Sequence, residues 1–244
     1  MKIAHISDFH LRHHLPGTAS IAKRRSRDMP DLIPRAIQDI QAEEPDLVAV
    51  TGDLVDHPFD LMDDPDTILL GEKDLRLVGD LFAPLTCPVA FLFGNHDRPE
   101  SFRKVFQALS RDLEVSNHRI LTFADNEAED NCPERLGAER KRFRRALDGN
   151  DPRPQIHLQH YLISPQHTEG YPHNYRDATS LEASISAEPR VRLVLSGHYH
   201  KGETPISIGS ATFSTVPAFC EAPHPYRIYT LSEETVSHTE HHLE

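Results

Sequence analysis

An apolar run that ends in a cluster of polar residues with metal-binding side chains sets the strongest limit on how this chain can fold. Residues 89–93 form such a run, and Gly94-Asn95-His96-Asp97 follows it directly. A short run of apolar and aromatic residues closed by glycine is typical of a strand that is buried on both faces. Because ligands bind at the carboxyl ends of strands in open α/β sheets, the cluster predicts a site at that edge.

The same arrangement recurs at four other places in the sequence. Polar residues follow the other apolar runs in this order: Asp8 and His10 after residues 3–7, Asp53 after 46–51, His160 after 156–159, and His198 and His200 after 191–196. Residues two apart in an extended segment face the same side, so each pair with that spacing can converge on one point. Oxygen and imidazole ligands without thiolate suit Mn, Fe or Zn. Together with Asn95, the set is too large for one metal ion and large enough for two.

Amphipathic segments separate the predicted strands. Apolar residues at helical spacing predict helices over residues 32–40, 75–82 and 102–109, and a charged outer helix over 135–147. Residues 205–208, 211–216 and 226–231 predict successive strands, which we expect in a separate antiparallel sheet. The histidines at 238, 241 and 242 are predicted to lie in a polar tail without function.

The composition argues against several classes of protein. A formal net charge of -12 does not suit broad binding to nucleic acid or to an anionic membrane. Three cysteines without CxxC spacing indicate a reducing compartment, and the apolar run at residues 1–8 is too short for a signal peptide. We expect a single domain over residues 1–244, located in the cytoplasm, with a small-molecule substrate and with neither nucleic acid nor membrane as a partner.

Two loops are candidates for substrate specificity. Residues 11–29 form a basic loop directly after the first cluster, and two interpretations stay open: a solvated positive surface or a loop that contacts phosphate. Residues 164–175 mix histidines and tyrosines with Gly170 and Pro172, which suits a pocket rim or a plain surface loop.

The motifs resemble those of the calcineurin-like metallophosphoesterases. The family pattern runs DxH, GDxxD, GNHD, a lone histidine and GHxH. This chain supplies each motif in order: Asp8-Phe9-His10, Gly52-Asp53-Leu54-Val55-Asp56, Gly94-Asn95-His96-Asp97, His160, and Gly197-His198-Tyr199-His200. The resemblance spans nearly the whole chain. It implies an α/β fold of two packed mixed β-sheets flanked by helices, with the site along the strand ends.

The resemblance also implies a ligand set and a reaction. The expected ligands are Asp8, His10, Asp53 and His200 for one metal ion, and Asp53, Asn95, His160 and His198 for the other. Asp53 would bridge the ions, which agrees with the ability of its two oxygens to do so. Two ions about 4 Å apart would bind phosphate oxygens and activate a shared hydroxide for in-line attack on phosphorus. His96 would then protonate the leaving oxygen and Asp97 would orient His96, whereas Asp56 is expected to hold its loop.

These expectations favour a phosphate ester hydrolase, with a small-molecule phosphodiesterase for cyclic nucleotides or related diesters as the first choice. A phosphomonoesterase or a nuclease of the same family is the alternative within the class. A protein serine/threonine phosphatase is disfavoured, because His57-Pro58 follow Asp56 and Asp97 closes the third motif where such enzymes carry other residues. A non-catalytic metal-binding scaffold is the alternative of another class.

Overall fold

The computed structural model of the protein describes residues 1–167 and 170–243. Two large β-sheets pack face to face and carry helices on their outer sides, and residues 126–127 and 133–134 form a separate two-stranded antiparallel sheet. The strands are β1 (Lys2–Ile6), β2 (Leu47–Thr51), β3 (Val89–Leu92), β4 (Asp112–Val115), β5 (His118–Phe123), β6 (Asn126–Glu127), β7 (Pro133–Glu134), β8 (Gln155–Gln159), β9 (Val191–Ser196), β10 (Glu203–Ile208), β11 (Ala211–Thr215), β12 (Pro225–Leu231) and β13 (Val236–His242). The helices are α1 (Met29–Ala42), α2 (Pro65–Phe82), α3 (Pro99–Val105), α4 (Gly137–Asp148) and α5 (Ala178–Ser186).

Both sheets are mixed, and the strands that precede the predicted site are their parallel strands. The first sheet has the order β13-β12-β1-β2-β3, in which β1, β2 and β3 run parallel and β12 and β13 are antiparallel additions. The second sheet has the order β10-β11-β9-β8-β5-β4, with β11, β9, β8 and β5 parallel and antiparallel strands at both edges. In each sheet the parallel strands therefore bring their carboxyl ends to one edge.

Three apolar layers hold the elements together, as the alternation of side chains along the strands requires. Ile3 and Ala49 on one face of the first sheet pack with Ile156 and Leu193 of the second sheet. The opposite face of the first sheet packs on α1, α2 and α3, and the outer face of the second sheet packs on α4 and α5. This α/β architecture of two mixed sheets flanked by helices confirms the predicted fold class.

The sequence was a poorer guide to which strands pair. The separate antiparallel sheet expected for residues 205–231 is wrong, because β10 and β11 extend the second sheet and β12 returns beside β1. The polar tail is instead the edge strand β13, whose exposed side chains explain its polar composition. Strand propensity reveals that a strand forms, but its partner depends on the whole fold. In the described ranges, no helix is long and apolar enough to cross a membrane.

Candidate metal centre

The site lies where the carboxyl ends of the parallel strands of both sheets meet. Loops after β1 and β2 continue the strand pairing, since the Asp8 amide donates to the Gly52 carbonyl (3.1 Å) and the His10 amide to the Asp53 carbonyl (2.9 Å). The second sheet joins this edge through His160, whose Nδ1 lies 2.7 Å from the carbonyl oxygen of Thr51. The residues predicted from five separate strand ends therefore come together in one place.

Four of the predicted ligands form a first group. Donor atoms of Asp8, His10, Asp53 and His200 all lie within 4.8 Å of one another. The Nε2 atoms of His10 and His200 are 3.0 Å apart, and His10 Nε2 lies 3.4 Å from Asp53 Oδ2. Asp8 Oδ1 is 3.7 Å from His200 Nε2. These are the residues expected to hold the first metal ion.

A second group shares Asp53 with the first. Asp53, His160 and His198 also place donor atoms within 4.8 Å of one another. His160 Nε2 lies 3.4 Å from Asp53 Oδ2 and 3.2 Å from both Asn95 Oδ1 and His198 Nδ1. The same Asp53 oxygen faces an imidazole of each group, which is the placement that a bridging ligand requires. The bridging role itself stays a prediction.

The hydrogen bonds around the imidazoles fit metal ligation. His160 Nδ1 donates to the Thr51 carbonyl, and His200 Nδ1 lies 2.6 Å from Glu221 Oε1, so in both rings Nε2 is the nitrogen left to bind a metal ion once it carries no proton. His198 Nε2 is buried and has no hydrogen-bond partner within residues 1–167 and 170–243. Several nitrogen lone pairs and two carboxylates that face one another in a buried space are the donor set that a cation compensates. The residues present therefore fit two metal ions.

The charges of the site indicate the same need for a cation. Burial raises the pKa of the Asp8 carboxyl. Burial also works against ionisation of Asp53, but the imidazoles of His160, His96 and His10 hold the pKa of that carboxyl well below its usual range. For His160, burial opposes protonation, yet the Asp53 carboxylate outweighs it and raises the pKa of the imidazole to about 9. In the protein alone, a proton on His160 thus takes the place of a positive metal ion.

The backbone is strained to bring these side chains together. Asp8, His10, Asp53 and His198 have φ values of 58°, 45°, 51° and 67°, in the left-handed region that costs a non-glycine residue about 1–3 kcal/mol. Gly94 is required for a different reason, since a Cβ at this position would collide with Asp53 Oδ1. Strain of this kind is tolerated where the surrounding structure and the function demand a particular geometry.

His96 lies beside the first group with one ring nitrogen next to a carboxylate, at ion-pair distance but without hydrogen-bond geometry. Its Nδ1 is 2.8 Å from Asp56 Oδ1. Asp56 is itself held by Arg12, whose Nε donates to Oδ2 at 2.8 Å. Burial works against ionisation of Asp56, but the imidazoles of His10 and His96 hold the pKa of its carboxyl well below the usual range. His96 therefore keeps Nε2 for other contacts.

Asp97 has a different environment from the one expected. Among the described residues, its carboxylate accepts hydrogen bonds from the backbone amides of Leu54, Val55 and Gly94 at 2.9–3.0 Å, and it ties the loops after β2 and β3 together. Burial, and then the nearby charge of Asp53, raises the pKa of this carboxyl to about 7. The carboxylate that contacts the His96 imidazole is that of Asp56, so the contact expected of Asp97 is not the one observed.

A cavity of about 400 Å³ opens over the two groups, with Asp53, Asn95, His96, His198 and His200 in its lining. Both candidate loops contribute to its wall: Ile21 and Arg24 come from residues 11–29, and Tyr171 and His173 come from residues 164–175. The pocket-rim interpretation of the second loop therefore agrees with the structure. Phe59 adds an exposed ring whose centroid is 4.6 Å from that of His96.

Three residues near the site were missed or underrated by the sequence reasoning. Asp56 was expected to hold its loop, yet it also contacts two imidazoles of the site. Glu221, which contacts His200, follows no recognisable motif, so no signal could have found it. Arg24 is one of several basic residues in its loop, and the sequence alone does not distinguish the one that faces the cavity.

Comparisons with known proteins agree with this geometry. A family model described as calcineurin-like phosphoesterase matches residues 1–202. A dimetal phosphatase from Danio rerio has a similar structure, with a TM-score of 0.73 and 16% identity over 98% of this chain and 95% of that one. The protein TT1561 of Thermus thermophilus has a TM-score of 0.62 and 14% identity, over 98% of this chain and 97% of that one. A purple acid phosphatase, PPD1, from yellow lupin (Lupinus luteus) seeds has a TM-score of 0.66 and 13% identity, over 99% of this chain and 51% of that one. At these identities the solved structures show a shared fold.

Proposed function

Because the chain belongs to the calcineurin-like phosphoesterase family and is a metal-dependent phosphoric ester hydrolase, we propose that it hydrolyses small phosphodiesters, such as cyclic nucleotides or related diesters. The observation that carries this proposal is the pair of donor groups that share Asp53 beneath an open cavity. His96 stands at the same cavity with Nε2 uncommitted to a carboxylate.

The ligand assignment follows the two groups. Asp8, His10, Asp53 and His200 would hold one ion, and Asp53, Asn95, His160 and His198 would hold the other. When bound, two such ions supply Lewis-acid polarisation of the phosphoryl oxygens and a strong nucleophile at neutral pH. The nitrogen and oxygen donors suit Mn, Fe or Zn, which stay open as alternatives.

His96 is the proposed general acid. The Asp56 carboxylate lies 2.8 Å from Nδ1 and holds the ring on that side, which leaves Nε2 to protonate the leaving oxygen as the ester bond breaks. The orienting role that the sequence suggested for Asp97 therefore passes to Asp56 in this proposal. Asp97 instead fixes the relative position of the loops that carry Asp53 and His96.

The cavity supports a diester more than a monoester. A diester carries an organic group on each of two ester oxygens, and the site has exposed apolar side chains on more than one wall: Phe59 beside His96, and Ile21 and Tyr171 from the two loops. The volume of about 400 Å³ suits a small molecule. The net charge of -12 disfavours a nuclease, which needs an extended basic surface. A phosphomonoesterase is the remaining alternative within the class.

We also propose a cytoplasmic location without a membrane or nucleic-acid partner. The support is the acidic net charge and the state of the cysteines, since Cys87, Cys132 and Cys220 are free thiols. Free thiols are the usual state in a reducing compartment.

His96→Ala tests the proposed acid. Protein loaded in turn with Mn, Zn and Fe is assayed on bis(p-nitrophenyl) phosphate, p-nitrophenyl phosphate and cyclic nucleotides. The variant should keep its metal content and lose about 10²–10⁴-fold in diester turnover. His118→Ala is the control, because His118 begins β5 at the opposite end of the sheet from the site. Undiminished turnover by His96→Ala would exclude the role.

The same assay separates the enzyme from the scaffold. A wild-type protein that binds two ions but hydrolyses no member of the panel would favour the non-catalytic metal-binding scaffold. Monoester turnover well above diester turnover would favour the phosphomonoesterase.

A further inference from the structure

Arg24 places its guanidinium at the cavity beside the proposed acid. Its Nη1 is 3.5 Å from His96 Nε2 and 3.5 Å from His10 Nδ1. The side chain is only 10% exposed, although its loop lies at the surface. Its Nε is buried and has no hydrogen-bond partner in the part of the chain that the structure describes. A positive charge thus lies next to the nitrogen that is proposed to protonate the leaving group.

Arg12 shows what a fully engaged arginine looks like at the same place. Its Nε and Nη2 both lie 2.8 Å from Asp56 Oδ2. Arg24 approaches the other oxygen of that carboxylate only to 3.7 Å, and its remaining contacts are the long ones to the imidazoles. Arg12 therefore neutralises the Asp56 carboxylate. The Arg24 guanidinium makes no side-chain contact shorter than 3.5 Å with the described residues, so its donors are available to the cavity.

The loop that carries Arg24 is built to hold it in place. Asp74 on α2 accepts hydrogen bonds from the amides of His13, His14 and Leu15. Arg27 donates to the carbonyl oxygens of four loop residues: Arg12, His13, Leu15 and Gly17. At the other end, the Arg25 amide donates to the Cys220 carbonyl at 2.8 Å. Because these contacts already order the loop, substrate binding loses less conformational entropy at this arginine.

We propose that Arg24 is a catalytic residue that binds the phosphoryl group of the substrate together with His96. This inference rests on the proposed function. Two donors 3.5 Å apart can reach oxygens of one phosphoryl group. As the P–O bond to the leaving group breaks and a P–O bond to the attacking water oxygen forms, the water loses a proton to solvent and His96 gives one to the leaving oxygen. Arg24 transfers no proton and stabilises the negative charge on the phosphoryl oxygens.

Arg24→Ala and Arg24→Lys test the proposal in the metal-loaded protein with bis(p-nitrophenyl) phosphate. We expect kcat/KM of Arg24→Ala to fall about 10²-fold with the metal content unchanged. Arg24→Lys should recover only part of the loss, because an ammonium lacks the planar donor pair. Added guanidinium chloride below denaturing concentration should raise the rate of Arg24→Ala. The control is Arg25→Ala, which removes the adjacent arginine, whose Nε contacts the exposed Asp28 instead.

Binding of inorganic phosphate gives a readout that does not depend on turnover. Calorimetric titration of the metal-loaded proteins should show affinity about tenfold weaker for Arg24→Ala than for wild type and Arg25→Ala. If the wild-type protein hydrolyses no ester, the proposed function fails, and this titration alone decides the role of Arg24. Wild-type turnover together with wild-type phosphate affinity in Arg24→Ala would overturn the proposal. A loss of bound metal in that variant would also overturn it, since Arg24 would then support His10.

Discussion

Two groups of buried charged side chains lie at the end of β8, and they balance their charges differently. One of them, which we call the arginine cluster, consists of Arg135, Asp125, Tyr175 and Gln159. Arg135 Nε donates to Asp125 Oδ2 at 3.0 Å, and Nη2 donates to Gln159 Oε1 at 3.0 Å. Tyr175 donates its hydroxyl to the same Asp125 oxygen, and the guanidinium lies 4.2 Å from the centre of the Phe123 ring. Cation and anion are thus paired within the protein.

The metal-ligand groups lie next to this cluster, since His160 directly follows Gln159, but their charges are not paired in the same way. Asp8 and Asp53 are buried carboxylates that face imidazole nitrogens rather than a lysine or arginine within salt-bridge distance in the described parts of the chain. This contrast distinguishes a cation site from a structural ion pair in a buried polar cluster. A buried carboxylate paired with an arginine, which stays charged, is structural, whereas buried carboxylates that face only titratable imidazoles indicate a cation from solution.

Two histidines near the end of β8 show the same contrast. His157 lies behind the arginine cluster, where burial and then the charge of Arg135 lower the pKa of its imidazole to about 3. His160 is three positions further along, and the Asp53 carboxylate raises the pKa of its imidazole to about 9 against the effect of burial. Burial lowers the pKa of both imidazoles. Arg135 adds to that effect at His157, whereas the Asp53 carboxylate reverses it at His160.

Replacing Asp53 should give the largest effect on the metal-ligand side of this comparison. Asp53→Asn keeps the side-chain shape and removes the charge that both groups share. We expect both ions to be lost together, with turnover falling about 10³-fold or more, since metal catalysis contributes several kcal/mol. Metal analysis of the purified variant measures the first result and the diester assay the second. Retention of one ion at full occupancy would contradict the bridging position.

Replacing Asp125 should destabilise the fold and leave metal binding intact. Asp125→Asn leaves Arg135 buried without its counter-charge, so the free energy of unfolding should fall by about 3 kcal/mol in a denaturant titration. The double variant Arg135→Met/Asp125→Leu should regain most of that stability, because apolar replacement of a buried ion pair is often neutral. The metal content per folded chain should equal that of wild type in both variants. A loss of metal would show that the two clusters are not independent.

Much of the metal-ligand geometry could be predicted because it is encoded locally. Each ligand motif follows an apolar run, and parallel strands then bring the ends of those runs together without further information. The orienting carboxylate could not be chosen in this way. Asp97 is next to His96 in sequence, but the turn after β3 directs its carboxylate toward the amides of Leu54 and Val55. Asp56 reaches His96 across the gap between two loops.

Contacts made across long stretches of chain were outside the reach of the sequence. Glu221 contacts His200 but lies in a segment that carries no motif. The orientation of Arg24 toward the cavity depends on hydrogen bonds that hold its loop to α2 and to Cys220. The arginine cluster was also missed, since the basic residues of α4 suggested only a charged outer helix. Arg135 precedes that helix and turns inward because Asp125 and Tyr175 meet it there.

The pH dependence of the unfolding free energy should reveal the lowered pKa of His157. Between pH 6.5 and pH 3 the unfolded chain binds a proton at this histidine and the folded chain does not, so its contribution is present above pH 6.5 and is lost as pH falls. Between pH 8 and pH 5.5 the loss should be about 1.4 kcal/mol of unfolding free energy. His157→Gln should reduce the dependence in this window by that amount. An unchanged slope in the variant would mean that other groups set the acid stability.

Metal binding should reveal the raised pKa of His160, because this imidazole must release one proton when the metal binds. With its pKa raised to about 9, the His160 imidazole carries a proton at pH 7 in the metal-free protein and must lose it to bind a metal. Calorimetric titrations with Mn in buffers of different ionisation enthalpy measure the protons released on binding. The release should decrease by about half a proton between pH 7 and pH 9, as His160 becomes partly deprotonated beforehand. Because the Thr51 carbonyl holds Nδ1, the proton must leave from Nε2, the atom that faces Asp53. A release that stays constant over this range would show that Asp53 does not hold a proton on His160, and the contrast with His157 would then fail.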